Sequence, residues 1–196
     1  MEIARLSWED SIPVAHLSSI VKPPRRITAE YLNRVVGHYL NRYATTSAHM
    51  RRLLGKRVRR SAAHHGDSVA EGMALVDELI ARLIRIGALN DEEWARAKAA
   101  SLHRRGTGTR AIQVKLREKG LGAATIDLAI EALREGGGDP DRLAVWKYAR
   151  KRALGPYRRV PGDEDRRRKE LARLARAGFS YELAREVVEA SEAPEP

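Results

Sequence analysis

The chain has 196 residues, 43% of them hydrophobic and 32% charged, with a formal net charge of +11. That is enough apolar content for a folded core, and a field of this sign attracts polyanions, so nucleic acid or a complex containing it is the first partner class to test. Cysteine is absent, which excludes disulfides, thiolate nucleophiles and cysteine-based zinc sites. No run approaches the ~18 apolar residues of a membrane span.

In chain order, residues 1–28 read as a flexible tail, broken by Pro13, Pro23 and Pro24 and carrying an apolar set at Ile12, Val14, Leu17, Ile20 and Val21. No basic n-region followed by an apolar core marks a secretion signal, so a cytoplasmic location is expected. Helices follow over roughly 29–43, 46–60 and 69–86, then 91–104, 108–119 and 123–135, then 139–153, 164–177 and 180–190. Residues 192–196, rich in Pro and Glu, are expected to be disordered. The low aromatic content of 5% and the abundance of unbranched side chains favour helix over sheet.

The punctuation between helices is clear. Gly87, Gly120 and Gly178 each close an apolar-periodic run. Each is expected to be a left-handed C′ residue, with Leu83, Leu116 and Leu174 at C3 and Ala88, Leu121 and Phe179 at C″. Helix starts are marked by Asn90 with Glu93, by Asp139 before Pro140 and by Ser180, which are capping residues at their usual spacing. Asp91 and Glu92 suit the positive end of their helix.

The pattern recurs. Val76, Leu79, Ile80 and Leu83 have the same i, i+3, i+4, i+7 spacing as Ile126, Ala129, Ile130 and Leu133, and Ala184, Val187 and Val188 match its first three positions. The preceding helices carry Met50 and Leu54, Ile112 and Leu116, and Leu171 and Leu174. Leu116 to Ile126 and Leu174 to Ala184 both span ten residues, whereas Leu54 to Val76 spans twenty-two. The surplus is read as a long connection over Ser61–Asp67. The expectation is an all-α fold of three tandem three-helix repeats, 29–88, 89–137 and 138–191, stacked into an elongated, curved array because each unit buries too little alone.

Basic residues cluster on the second helix of each unit and its approaches: Arg51, Arg52, Lys56 and Arg57; Arg104, Arg105, Arg110, Lys115, Arg117 and Lys119; Arg166, Arg167 and Arg168. The recurrence predicts a charged stripe that contacts a partner or nucleic acid, against the plainer reading of a solvated face with local ion pairs. Arg59, Arg60, Lys169, Arg173 and Arg176 extend the same runs. Gly106-Thr107-Gly108-Thr109 lacks the Gly-Lys-Ser/Thr of a phosphate loop and reads as a helix-to-helix turn. His64-His65 near Asp67 has no further ligands at metal-binding spacing. Trp94, Trp146 and Tyr148 are assigned to packing. No nucleophile–base constellation stands out, so no catalytic residue, metal or cofactor is expected and the protein is read as a non-enzyme.

Leu89-Asn90-Asp91-Glu92-Glu93-Trp94-Ala95, Arg104-Arg105-Gly106, Arg110-Ala111-Ile112 and Lys119-Gly120-Leu121, followed by Leu174-Ala175-Arg176-Ala177-Gly178-Phe179-Ser180, resemble the RecX family. The resemblance covers about residues 29–190. It departs at His49-Met50, where the family has an acidic residue and leucine. It implies tandem three-helix repeats and a monomer that binds RecA, lies along the groove of the RecA–DNA filament and restrains ATPase, strand exchange and co-protease activity in recombination and the SOS response, with possible direct DNA contact and no membrane. The alternative is a helical DNA-binding protein of helix-turn-helix type.

Overall fold

The structure is a computed structural model and describes residues 22–160 and 162–194. Among these residues it contains helices and no strand: α1 (Ala29–Leu40), α2 (Ser47–His65), α3 (Val69–Arg85), α4 (Asp91–Arg104), α5 (Thr109–Glu118), α6 (Ala123–Arg134), α7 (Pro140–Arg152), α8 (Glu164–Arg176) and α9 (Tyr181–Glu189), with a short 3-10 turn at Gly155–Tyr157. The apolar stripes fold into three cores. Leu32, Val36, Met50, Leu54 and Val76 define the first, from α1–α3. Ala99, Ile112, Leu116, Ile126 and Ile130 define the second, from α4–α6. Val145, Leu174, Phe179, Ala184 and Val187 define the third, from α7–α9. Trp94 packs at the edge of the second core, and Trp146 and Tyr148 at the edge of the third.

The helix ends show why each unit closes. Thr28, Thr46, Ser68, Asn90 and Ser180 accept at their side-chain oxygens from the N–H three residues on, satisfying first-turn donors that the helix leaves free. At Gly120 and Gly178 the expected motif forms: Leu121 N–H donates to the Leu116 carbonyl and Phe179 N–H to that of Leu174, with Leu121 and Phe179 buried. At Gly87 the closing residue is not Ala88, which is exposed, but Leu89, whose N–H donates to the Leu83 carbonyl and whose side chain is buried. The larger apolar side chain gains more by burial than alanine does.

The connection expected over Ser61–Asp67 is mostly helix. α2 continues to His65 and stops at Gly66, which is left-handed. The cause is packing: Val58, Ser61 and Ala62 are buried, and α3 lies close enough that a Cβ on Gly72 would stand 2.6 Å from Val58 Cγ1. The surplus residues therefore lengthen α2. The apolar set Ile12 to Val21 lies outside the described residues. Residues 22–28 run against the first unit: His65 Nε2 donates to the Pro24 carbonyl (2.7 Å), Arg26 pairs with Asp67 (3.1 Å), and Ile27 packs on the core.

Candidate polyanion-binding surface

The second helices of the three units meet head to tail. At the first junction the C-terminal end of α5 reaches the start of α2: Thr46 Oγ1 donates to the Lys119 carbonyl (2.9 Å) and Arg52 Nη2 approaches the same oxygen at 3.5 Å. At the second, the end of α8 reaches the start of α5, where Gly108 N–H donates to the Ala177 carbonyl (3.0 Å). Each negative helix end thus faces a positive one, which is the favourable alignment of helix dipoles.

A carboxylate from the following unit completes each junction. Asp91, in the first turn of α4, accepts from Ser47 N–H (2.8 Å) and Ser47 Oγ (2.5 Å) at the start of α2. Asp141, in the first turn of α7, accepts from Thr109 N–H and Thr109 Oγ1, both at 2.7 Å, at the start of α5. The two clasps are chemically the same and link the same elements of successive units. Both junctions are tight: a Cβ on Gly120 would stand 2.5 Å from Ala48 Cβ at the first, and at the second a Cβ on Gly108 would stand 2.7 Å from the Gly178 carbonyl carbon and one on Gly178 2.5 Å from Ala111 N. Gly106-Thr107-Gly108-Thr109 is thus a turn between α4 and α5 whose glycines admit the neighbouring backbone.

Cations follow this line of helices. Lys169, Arg173 and Arg176 on α8, Lys115 and Lys119 beyond them, and Arg52, Lys56 and Arg60 on α2 recur at helical spacing, and the junction contacts carry the series from one helix to the next. Two clefts open beside it. One, of ≈ 660 Å³, lies between the 22–25 segment and α2 and is lined by Lys22, Arg25, Arg52, Lys56, Arg57 and Arg60, with no carboxylate among the described residues. His49 also lines it; burial, then Arg52, Lys119 and Lys56, hold its pKa below the ordinary 6.5. The other, of ≈ 550 Å³, lies at the second junction.

Of the residues expected in the stripe, Arg52, Lys56 and Arg57 line the first cleft, Arg105 and Lys115 the second, and Lys119 sits at the first junction. Arg166 lines a smaller depression on α8. Others are engaged or stand apart. Arg51 makes a bidentate pair with Asp77 of α3 (2.6 and 2.9 Å), which raises its own pKa and lowers that of Asp77. Arg168 faces Glu164 at 3.9 Å. Arg110 lies in the field of Glu182. Arg104, Arg117 and Arg167 are exposed and line neither cleft. The stripe expectation does not include Lys151 and Arg152, at the end of α7, which line the second cleft. Among the described residues no group of acidic and histidine side chains has metal-binding geometry, and no helix is long and apolar enough to cross a membrane.

Tandem three-helix units, joined through their second helices and edged with cations, define a helical-repeat protein with a basic surface. The model of the RecX second three-helix domain matches residues 90–130. A regulatory protein RecX of Myxococcus xanthus is 42% identical over 173 residues, covering 88% of this chain and 91% of that one. One from Agrobacterium fabrum is 39% identical over 103 residues, covering 53% of each chain. The crystal structure of a regulatory protein RecX superposes with a TM-score of 0.60 at 22% identity, covering 82% of this chain and 70% of that one. The chain belongs to the RecX family of regulatory proteins.

Proposed function

We propose that this protein restrains RecA. It binds RecA and lies along the groove of the RecA–DNA filament, lowering ATP hydrolysis, strand exchange and co-protease activity, as a monomeric cytoplasmic regulator with no catalytic step of its own. The observation that carries the reading is the cationic line along α8, α5 and α2 in a member of the RecX family. A groove flanked by phosphates and acidic side chains asks for a long, narrow basic surface, which three units over 29–88, 89–137 and 138–191 stacked as an elongated array would supply. Direct contact with DNA phosphates is part of the proposal.

The test is DNA-dependent ATP hydrolysis by RecA on single-stranded DNA, with this protein added at substoichiometric and equimolar ratios. The rate is expected to fall, and the protein alone to hydrolyse no nucleotide. An unchanged rate at equimolar protein would remove the reading.

A further inference from the structure

The second junction lies on the cationic line that the regulatory reading rests on, and its cleft carries a more specific inference that deepens that reading. Its cleft is walled by Arg105 at the end of α4 and Lys115 on α5 from one unit, and by Lys151 and Arg152 at the end of α7 and Arg173 and Arg176 on α8 from the next. Among the described residues no carboxylate lines it. Among the described residues none of the six cations makes an ion pair, although this chain pairs exposed cations readily elsewhere, as at Arg51–Asp77, Arg142–Glu186 and Lys169–Asp165. Arg105 bonds only to Ser101, and Arg152 stands over the Tyr148 ring at 5.9 Å from its centroid.

Six like charges divided between two units repel one another across the joint. The bonds that oppose them are Gly108 to Ala177, Thr109 to Asp141, and His103 Nε2–H to the Pro140 carbonyl at 2.8 Å. The backbones are already in contact, since a Cβ on Gly106 would stand 3.0 Å from Tyr148 N. An anion seated among the six would cancel the repulsion while touching both units. Such a ligand interacts differently with the closed and the sprung joint, which is the condition for it to shift that equilibrium.

We propose that this cleft is a binding site for a multiply charged phosphate anion, and that occupation closes the joint between the second and third units. Guanidinium forks match phosphate oxygens in pairs and ammonium groups supply point charge. The anion can be a free polyphosphate or successive phosphates of a nucleic-acid backbone. The inference does not depend on RecA and is tested without it.

Sodium tripolyphosphate and a single-stranded oligothymidylate are each titrated calorimetrically into the full chain, at ionic strength held fixed with sodium chloride. Amide exchange is followed at Gly108 and Thr109, whose N–H groups report the closed joint. One or both ligands should bind and slow those two amides. Arg173→Gln with Arg176→Gln, at exposed positions, should keep the fold and lose about tenfold or more in affinity, together with the added protection. Arg105→Gln with Lys115→Gln should do the same from the opposite wall, and serves if the first pair is poorly folded. Arg104→Gln with Arg117→Gln, outside the cleft, should bind as wild type. Tripolyphosphate binding assigns the site to free polyphosphate as well as to a backbone; binding of oligothymidylate alone assigns it to a backbone. Unchanged affinity in both folded wall variants, no binding of either ligand, or binding that leaves Gly108 and Thr109 exchange unaltered would overturn the proposal.

Discussion

Removing the carboxylate at Asp141 tests whether a junction holds as its geometry suggests. Asp141 accepts two bonds of 2.7 Å from Thr109, at a helix start where Gly108 offers no side-chain cap. In Asp141→Ala the Thr109 N–H loses its partner, as does the hydroxyl, and both are half-buried. Hydrogen bonds to a charged acceptor are worth ~1.5–3 kcal/mol, and loss of a helix cap costs ~0.5–2 kcal/mol. These overlap, because one bond is the cap, so the expected cost is ~2–3 kcal/mol. Asp141→Asn keeps an acceptor for the N–H, and its amide can donate to the hydroxyl oxygen. It loses only the charge, and should cost ~1 kcal/mol or less.

Denaturant unfolding gives the total, and amide exchange locates it. Thr109 should exchange faster in Asp141→Ala, while Gly108, still bonded to Ala177, should accelerate less. Thr109→Val removes the hydroxyl alone, and a double-mutant cycle with Asp141→Ala should return a coupling of ~0.5–3 kcal/mol. A cost for Asp141→Ala below ~0.5 kcal/mol, the range of ordinary surface changes, with Thr109 exchange unchanged, would show that the clasp contributes nothing to the joint.

The remaining expectations concern each unit in turn. Leu116→Ala should destabilise the second unit by ~2–5 kcal/mol through cavity formation, since Leu116 is fully buried; thermal denaturation checks it. Glu170→Ala should cost ~3–5 kcal/mol, because it strands Arg158 in a pair whose side chains are only 7% and 15% exposed, and exchange should rise near Val188, whose carbonyl Arg158 also binds. His49, partly buried and faced by Arg52, Lys56 and Lys119, by the Tyr39 ring of α1 and by Lys22 and Arg25 across the cleft, has its pKa lowered. Its stabilising share is therefore full above pH 6.5 and declines as pH falls through that value, when the unfolded chain takes up a proton that the folded chain resists. A polyanion bound in that cleft should raise the His49 pKa, seen in its ring NMR shifts, and binding should tighten as pH falls. Small-angle scattering should give a radius of gyration above the ~16 Å of a compact domain of this length.

What the sequence discloses follows from the range of each interaction. Caps, Gly120, Gly178 and the apolar stripes act within a few residues, so the helices are legible to within a residue or two at most ends. α2 escapes the reading because Ser61 to His65 carries no strong apolar period. Those residues are helical through burial of Ser61 and Ala62 and through Gly72 on the facing helix, which are tertiary facts. Ala88 and Leu89 are adjacent candidates for one closing role, and only packing decides between them.

The surface is legible only in part because its pieces come from different units. Arg51 and Arg52 are neighbours in the chain, yet one pairs with Asp77 and the other borders the cleft. Lys151 and Arg152 end a helix, where a basic residue already has a sufficient cause in the helix dipole. Asp91 and Asp141 likewise look sufficient as first-turn acids, while their partners stand 44 and 32 residues away. The clue is the repetition itself: a hydroxyl residue opens α2 and α5, and an aspartate stands in the first turn of the first helix of the unit that follows each. α8 breaks the rule in a telling way. Its start is capped from within by Asp163, which accepts from Arg166 N–H at 2.7 Å, with Glu164 and Asp165 in the first turn. α2 has its own cap in Thr46 and gains a second acceptor from Asp91 of the next unit, whereas α5 has no side-chain cap of its own and draws its acceptor from Asp141 alone. Dependence on the next unit's carboxylate is therefore greatest at α5.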